Sequence, residues 1–361
     1  MNKRLAIINH NLGSGGAEKL IYDMALELKK MNIKFSIILL TSVNDIYGKK
    51  LQEIGIDVIY LSNKWDIYSP KNIFRLKKIL KTYDIIHTHT YAAQLWTAFT
   101  SLFLDKNKKY LTTEHSTSNR RREKFYFKYL DGWMYSRYDK IISITDATQV
   151  NLKKWLNNKN QEKHLVINNG INLKKYYSTI PIKRKEINQN LKDEDILICM
   201  IGRFSEQKDQ KTLIKSMKFL NESYKLILLG DGDKESEEQL VDELNLKERV
   251  YFLGYKSNVA EIVKSCDIAV LSSHWEGFGL AAVESMALGI PTIGSNVAGL
   301  REVLENGGII FEKGNEKDLY TKIMKIDEKS YRELSKQAKE KSKKYSLDKM
   351  IKKYLKLFNN I

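Results

Sequence analysis

A chain of 361 residues is long enough to form two domains, each with its own hydrophobic core. Its longest aliphatic runs, at 35–40 and 196–201, are far shorter than the roughly 20 residues that a membrane-spanning helix requires, and no signal-peptide pattern precedes the first predicted strand. The two cysteines, Cys199 and Cys266, lie in apolar segments, which argues against a disulfide framework and against a thiolate metal site. We therefore expect a cytoplasmic protein.

The positive charge of the chain is concentrated in its first half. The formal net charge is +17; residues 1–180 carry 30 Lys and Arg against 15 Asp and Glu, whereas residues 181–361 carry 31 against 29. A field of this sign attracts polyanions or an anionic membrane surface, so we expect an acidic partner near the first half. The alternative is that the chain is simply rich in lysine and that these lysines lie on a solvated surface without an acidic partner.

Short β-branched runs alternate with segments of helical period in the first half, a pattern typical of βα units around a parallel sheet. The first helix is predicted over 17–31, with Leu20, Met24 and Leu28 on one apolar face, and another over 72–81. The strands are predicted at 4–9, 35–40, 57–61, 84–87, 109–113, 140–144 and 164–167.

A second series of strands follows a polar segment that we interpret as a hinge near 172–190. Its members are predicted at 196–201, 224–229, 250–253, 268–271, 291–293 and 308–311. The sequence thus predicts an α/β protein of two Rossmann-like domains with parallel sheets, over 1–180 and 190–345. We expect them to face a central cleft, because ligands bind beyond the carboxyl ends of such strands. A final helix in 346–361 either packs back on the first domain or caps the second.

Two carboxylates eight residues apart, Glu276 and Glu284, follow the predicted strand at 268–271. The residues between them that form a turn and open a helix are Gly277, Phe278, Gly279 and Leu280. Amide groups at the N-terminus of that helix can bind phosphate oxygens, and a carboxylate further along it can accept two hydrogen bonds from a ribose diol. We therefore assign the turn, Leu280 and Glu284 to nucleotide binding.

Two further segments have the composition of phosphate-binding loops. Arg203 and Lys208 follow the predicted strand at 196–201, where a guanidinium can hold two phosphate oxygens and an ammonium a third. Gly15 and Gly16 precede the first helix, so their backbone can closely approach a diphosphate or a sugar. For Arg203 and Lys208 the alternative is a pair of solvated surface charges. For Gly15 and Gly16 it is a loop that only caps the helix.

These motifs resemble those of the retaining glycosyltransferases of family 4, the glycogen-synthase and mannosyltransferase-like group with the GT-B fold. The segment 272–284 is similar to the E-x7-E motif of that family, 202–208 to its diphosphate clamp, and 13–18 to its glycine-rich loop. The resemblance implies transfer of a hexosyl or N-acetylhexosaminyl unit from a UDP- or GDP-linked sugar, with retention of configuration and without a metal or other cofactor. The implied acceptor is a saccharide or lipid-linked saccharide in the assembly of surface polysaccharide or another glycan.

The resemblance also implies two catalytic residues. The family commonly has a histidine facing the donor sugar at the position of His115, which follows the predicted strand at 109–113, and Glu276 is expected to contact the hydroxyls of that sugar. His87 and His89 end the preceding strand. We expect one of them to line the cleft or to organise the edge of the sheet, and the structural role is the favoured interpretation.

A segment of mixed cations and aromatic residues lies in the basic half. Arg120, Arg121, Arg122, Lys124 and Phe125 are followed by further aromatic residues on a predicted helix. Such a surface suits the headgroups of an anionic membrane, so we predict a peripheral position at the inner face of the membrane. Two alternatives remain: nucleic-acid binding, in which bases stack on aromatic residues, and a core-facing aromatic stripe with a solvated basic face.

Two rival functions share parts of this pattern. A sugar-nucleotide epimerase or a phosphorylase-type enzyme would have the same architecture. The paired Glu276 and Glu284 favour transfer over epimerisation, and the sequence shows nothing that resembles the pyridoxal phosphate lysine site of a phosphorylase. A basic nucleic-acid-binding protein would use the charge, yet the sequence has no recognisable nucleic-acid module and the paired carboxylates would have no role. We therefore expect a nucleotide sugar and a saccharide acceptor as partners, and no nucleic acid.

Overall fold

The computed structural model describes residues 3–117, 119–159 and 161–361, apart from the side chain of Arg120. The chain divides into two compact units, Met1–Gly170 with Leu347–Ile361, and Ile171–Ser346. Each unit is a parallel sheet with helices. The predicted pair of Rossmann-like α/β units is therefore confirmed.

The first unit is built on a seven-stranded parallel sheet. Its strands are β1 (Leu5–Asn9), β2 (Phe35–Leu39), β3 (Val58–Tyr60), β4 (Ile85–Thr88), β5 (Lys109–Glu114), β6 (Lys140–Ser143) and β7 (His164–Val166), in the spatial order β3-β2-β1-β4-β5-β6-β7. Its helices are α1 (Gly16–Lys30), α2 (Tyr47–Glu53), α3 (Lys71–Leu80), α4 (Tyr91–Thr100), α5 (Tyr126–Ser136) and α6 (Asp146–Trp155).

The central strand β1 is buried along its whole length, as expected for a parallel strand with helices on both faces of the sheet. Its alternate side chains belong to two separate cores, because successive residues of a strand point to opposite faces. Leu5 and Ile7 pack in the core that contains α1, whereas Ala6 and Ile8 pack in the core that contains α3, α4 and α5.

The second unit is built on a six-stranded parallel sheet. Its strands are β8 (Ile196–Ile201), β9 (Tyr224–Leu229), β10 (Val250–Gly254), β11 (Ile268–Leu271), β12 (Thr292–Ser295) and β13 (Ile309–Phe311), in the order β10-β9-β8-β11-β12-β13. Its helices are α7 (Leu173–Tyr177), α8 (Arg184–Ile187), α9 (Gln210–Met217), α10 (Glu235–Glu243), α11 (Val259–Lys264), α12 (Leu280–Ala287), α13 (Leu300–Leu304), α14 (Glu316–Met324) and α15 (Glu328–Ser342).

The start of the second unit lies earlier in the chain than the sequence indicated. We expected the first domain to extend to residue 180, but the segment that includes α7 belongs to the second unit. The amide of Ile171 donates a hydrogen bond of 2.9 Å to the carbonyl of Tyr345, and Ile171 also pairs with Ser346 in a parallel bridge. These contacts place the boundary directly after Gly170.

The final helix, α16 (Leu347–Asn359), belongs to the first unit. Its Met350, Ile351, Tyr354 and Phe358 are buried in the core that contains α1. The apolar stripe seen in the sequence is therefore the packing face of α16, and its lysines lie on the opposite, exposed side.

The helices of the described residues are short. Two of the longest, α1 and α15, have 15 residues each and carry several charged side chains. Within residues 3–117, 119–159 and 161–361, no helix combines the length and the apolar composition needed to cross a membrane.

The packing of α16 predicts that its last aromatic residue stabilises the first unit. Phe358 has no exposed surface, so Phe358→Ala should lower the free energy of unfolding of this unit by about 3–5 kcal/mol, the usual cost of deleting a buried aromatic side chain. Denaturant unfolding followed by circular dichroism measures the change. Lys352→Ala, on the exposed face of the same helix, is the control, and an equal effect of the two substitutions would contradict the assignment.

Candidate functional site

Two loops of the second unit meet beyond the carboxyl ends of β8 and β11. Lys208, in the loop after β8, places its Nζ 2.5 Å from Oε1 of Glu276, in the loop after β11. The same oxygen accepts a hydrogen bond of 2.9 Å from the hydroxyl of Ser273. Glu276 is 5% exposed, and a buried carboxylate requires such partners. The residues predicted separately for the diphosphate and for the sugar are therefore in direct contact.

Further hydrogen bonds hold these two loops together. The side-chain amide of Gln207 donates to the carbonyl of Trp275 at 3.0 Å, and the amide of His274 donates to the carbonyl of Gln207 at 2.8 Å. The hydroxyl of Ser272 donates to the carbonyl of Asp209 at 2.7 Å. Because the contacts use backbone groups on both sides, the loops form one rigid polar surface on which Lys208 and Glu276 are held in place.

Gly279 lets the chain turn sharply into α12. Its φ of +87° lies in the left-handed region that favours glycine, and a Cβ there would lie 2.8 Å from Cδ1 of Leu300. The preceding Phe278 is buried and packs edge-on against the ring of Tyr345. No described side chain caps α12 at Gly279, so the first turn, which begins at Leu280, presents amide groups that can bind an anion.

A glycine outside the predicted motif holds this turn in place. Gly299 precedes α13 with a φ of +85°, and a Cβ there would lie 2.6 Å from the carbonyl oxygen of Glu276 and 2.7 Å from that of Gly277. A side chain does not fit at these distances, so the backbone of Gly299 packs directly on the motif. The only sequence signal is a glycine soon after a strand, which is weak by itself.

Glu284 is oriented by a tyrosine that the sequence did not reveal. The hydroxyl of Tyr176, on α7, donates a hydrogen bond of 2.5 Å to Oε1 of Glu284, on α12. Tyr176 is buried and Glu284 is half-buried. The sequence predicts that residue 176 belongs to the first domain, so no pattern indicates that it contacts the carboxylate predicted to bind ribose.

Arg203 lies in the same loop as Lys208, and its side chain is exposed. The turn that follows β9 supports this loop: the amide of Phe204 donates a hydrogen bond of 2.7 Å to the carbonyl of Asp231. The sequence Gly230-Asp231-Gly232 is thus used for a tight backbone contact. The loop after β8 presents one exposed guanidinium and one ion-paired ammonium.

In the first unit, the glycine-rich loop leads directly into α1. Gly15 is the N-cap and Gly16 the first residue of this helix. A Cβ on Gly15 would overlap the carboxylate of Glu18, whose Oε1 lies 4.0 Å from Nε2 of His10. Glycine at position 15 therefore leaves room for a carboxylate beside an imidazole, and neither Glu18 nor His10 had been singled out from the sequence.

His115 follows β5, which extends one residue further than expected, through Glu114. Nε2 of His115 lies 2.9 Å from Nδ1 of His89, which follows β4. Burial lowers the pKa of His115 to about 4, although the carboxylate of Glu114 acts in the opposite direction. His115 is therefore neutral at neutral pH and can act as a hydrogen-bond donor or acceptor.

Two arginines predicted for an exposed patch are instead held within the first unit, and that part of the prediction is wrong. Arg121 lies 3.4 Å from the carboxylate of Asp131 and stacks 3.5 Å above the ring of Tyr91. Arg122 lies 3.2 Å from Oε2 of Glu114. The arginine side chains are 10% and 11% exposed. The physical reason is that buried carboxylates require charged partners.

The rest of the predicted patch differs from these two arginines. Lys124 is exposed, and Phe125 is 77% exposed. Tyr126 and Tyr129, on α5, are 51% and 78% exposed. The side chain of Arg120 lies outside the described part of the chain. The exposed surface is therefore more aromatic and less basic than the sequence predicted.

Comparison with known proteins identifies the family. Residues 14–175 match the family described as Glycosyltransferase Family 4, and residues 182–345 match the family described as Glycosyl transferases group 1. Glycosyltransferase MJ1178 of Methanocaldococcus jannaschii is 32% identical over 306 residues, which are 81% of this chain and 78% of that protein. The chain belongs to the family 4 glycosyltransferases.

Another relative has a named reaction. The N,N'-diacetylbacillosaminyl-diphospho-undecaprenol alpha-1,3-N-acetylgalactosaminyltransferase of Campylobacter jejuni is 31% identical over 200 residues, which are 53% of either chain. Among solved structures, Anabaena Alr3699/HepE in complex with UDP-glucose superimposes with a TM-score of 0.87 at 19% identity, over 100% of both chains. This similarity shows that the fold is GT-B.

Proposed function

We propose that this glycosyltransferase moves a hexosyl or N-acetylhexosaminyl unit from a UDP- or GDP-linked donor to a lipid-linked saccharide, with retention of configuration and without a metal. The observation that carries the proposal is the contact between Lys208 and Glu276 beside the N-terminus of α12. A cation, a carboxylate and a helix N-terminus within one pair of loops match the phosphates and the sugar hydroxyls of a nucleotide sugar.

The proposed donor contacts follow from the chemistry of the groups. The exposed guanidinium of Arg203 and the ammonium of Lys208 bind the diphosphate, with the amides of Gly277 to Leu280. Glu284, oriented by Tyr176, accepts hydrogen bonds from the ribose diol. Glu276 accepts hydrogen bonds from hydroxyls of the donor sugar.

Departure of the nucleoside diphosphate places a growing negative charge on its phosphate oxygens. Arg203, Lys208 and the dipole of α12 stabilise that charge, which is the task that a divalent cation performs in other transferases. Lys208 is held beside Glu276 and the first turn of α12 has a defined position, so these two groups need little reorganisation when the bond breaks. This is the basis for the proposal that no metal is required.

The choice of a UDP-linked donor as the first to test, and of a lipid-linked acceptor, rests on similarity. The Anabaena structure holds UDP-glucose, and the Campylobacter relative is named for a diphospho-undecaprenol acceptor. An acceptor with an undecaprenol chain remains in a membrane, so its transferase must approach the membrane surface.

An exposed aromatic patch supports such an approach. We define the patch as Lys124, Phe125, Tyr126 and Tyr129, at the start of α5 and just before it. Further exposed apolar side chains lie on neighbouring elements of the same helical layer, Phe74 on α3 and Phe103 after α4. Clustered exposed aromatic side chains mark interaction surfaces, and aromatic residues next to a lysine suit the headgroup region of an anionic membrane.

Substitution of Lys208 tests the donor assignment. Lys208→Ala should weaken UDP binding about 10- to 100-fold, since a charge-assisted hydrogen bond contributes about 1.5–3 kcal/mol. Glu284→Gln should weaken it less, because the amide can still accept one hydrogen bond from the ribose. Isothermal titration calorimetry measures both effects.

Lys211→Ala, an exposed lysine on α9, is the matched control and should leave UDP affinity unchanged. Since Glu276 is buried beside Lys208, circular dichroism must show that Lys208→Ala is folded. Folded Lys208→Ala and Glu284→Gln variants that both bind UDP with the affinity of the original protein would exclude the assignment.

The membrane assignment predicts binding to anionic vesicles but not to neutral ones, with loss of binding at high salt. The triple substitution of Lys124→Glu, Phe125→Ser and Tyr129→Ser should abolish cosedimentation with anionic vesicles. It leaves the internal ion pairs of Arg121 and Arg122 intact, so the fold should be retained.

The control for this experiment is Tyr255→Ser, which removes a 53% exposed tyrosine from the second unit. Nucleic acid is the rival partner for a surface of aromatic and basic residues. Equal sedimentation with neutral vesicles, or saturable binding of RNA that the triple substitution abolishes, would count against a membrane surface.

A further inference from the structure

His89 is buried behind His115 and bonds to it through one nitrogen only. His89 is 1% exposed, its Nδ1 lies 2.9 Å from Nε2 of His115, and the ring centroids are 5.2 Å apart. Its other nitrogen, Nε2, is buried and has no hydrogen-bond partner among the residues that the structure describes. His115 is half-buried and keeps part of its surface exposed.

The unpartnered nitrogen determines the direction of the bond. A neutral imidazole has one N–H and one bare nitrogen. If Nδ1 of His89 accepted from His115, the proton of His89 would be on Nε2, and a buried N–H would have no acceptor. If Nδ1 donates, the donor is satisfied and Nε2 keeps a lone pair. Orphaned buried N–H groups are rare in folded proteins, so the second arrangement is favoured.

We propose that His89 is a positioning residue, whose Nδ1–H donates to Nε2 of His115 and thereby keeps the single proton of His115 on Nδ1. His115 then offers an N–H donor, rather than a base, to a substrate oxygen. This inference rests on the proposed function in one respect, the transfer of a donor sugar, and on the expectation from the sequence that His115 contacts that sugar.

The surroundings of His89 hold its ring in this orientation. The ring of His87 lies 4.2 Å from that of His89, and Nε2 of His87 lies 2.8 Å from the hydroxyl of Thr113. That hydroxyl lies 3.2 Å from the hydroxyl of Tyr354, on α16. Tyr354 on α16 is therefore linked through Thr113 to His87, the residue that packs against the ring of His89.

Both histidines of the pair are uncharged at neutral pH. Burial, together with the neighbouring His87 and His115, lowers the pKa of His89 well below its usual value. Burial also lowers the pKa of His115 to about 4. With no charge present, the position of the proton on each ring depends on the hydrogen bond between them.

Nitrogen-15 NMR on the full chain at neutral pH measures the tautomer of His115 directly. The chain has six histidines, so the signal of His115 can be assigned by single substitutions. We expect the proton of His115 on Nδ1. In His89→Leu the Nε2–H form should appear, and kcat with the nucleotide sugar should fall about tenfold, the size expected for one hydrogen bond. His89→Asn, whose side-chain amide can donate from the place of Nδ1, should restore both.

His164→Leu is the matched control, since it removes a half-buried histidine of the same sheet, on β7, whose ring nitrogens have no hydrogen-bond partner among the described residues. It should leave both the tautomer of His115 and kcat unchanged. A proton on Nε2 of His115 in the unsubstituted protein, or an unchanged tautomer in His89→Leu, would overturn the inference. The expected tautomer change without any change in kcat would uphold the positioning role and instead refute the assigned contact of His115 with the donor.

Discussion

Parallel strands that end at one edge of a sheet bring together residues that are far apart in this chain. Lys208 and Glu276 follow β8 and β11, which are paired neighbours in the second sheet, and their side chains are in contact. His89 and His115 follow β4 and β5, which are neighbours in the first sheet, and their rings share a hydrogen bond. The two candidate sites therefore depend on the same constraint of parallel topology.

Burial at these strand ends determines what the polar groups can do. Glu276 and Glu114 are almost completely buried carboxylates, and each has a cation beside it, Lys208 or Arg122. An isolated buried charge would be strongly unfavourable. A ligand that binds Lys208 removes this cation from Glu276. It must therefore supply Glu276 with another hydrogen-bond donor, and hydroxyls of a sugar next to a diphosphate would provide one.

The fold was predictable because strand patterns in both halves are strong, and the candidate donor residues were predictable because they directly follow strands. Tyr176 and Gly299 were missed because their roles come from packing across the second unit. Arg121 was assigned to the surface because a periodic pattern cannot show that Asp131 is buried beside it. The position of α16 was left open by its apolar stripe, which fits either unit.

We propose above all that Arg203, Lys208 and the N-terminus of α12 support transfer with retention and without a metal. The most direct measurement is the proton NMR spectrum of the product formed from a UDP-α-sugar and a diphospho-undecaprenol-linked saccharide in the presence of EDTA. An α-linked product, identified by the coupling of its anomeric proton, is the expected result. A β-linked product, or turnover that returns only when a divalent cation is added, would contradict the account.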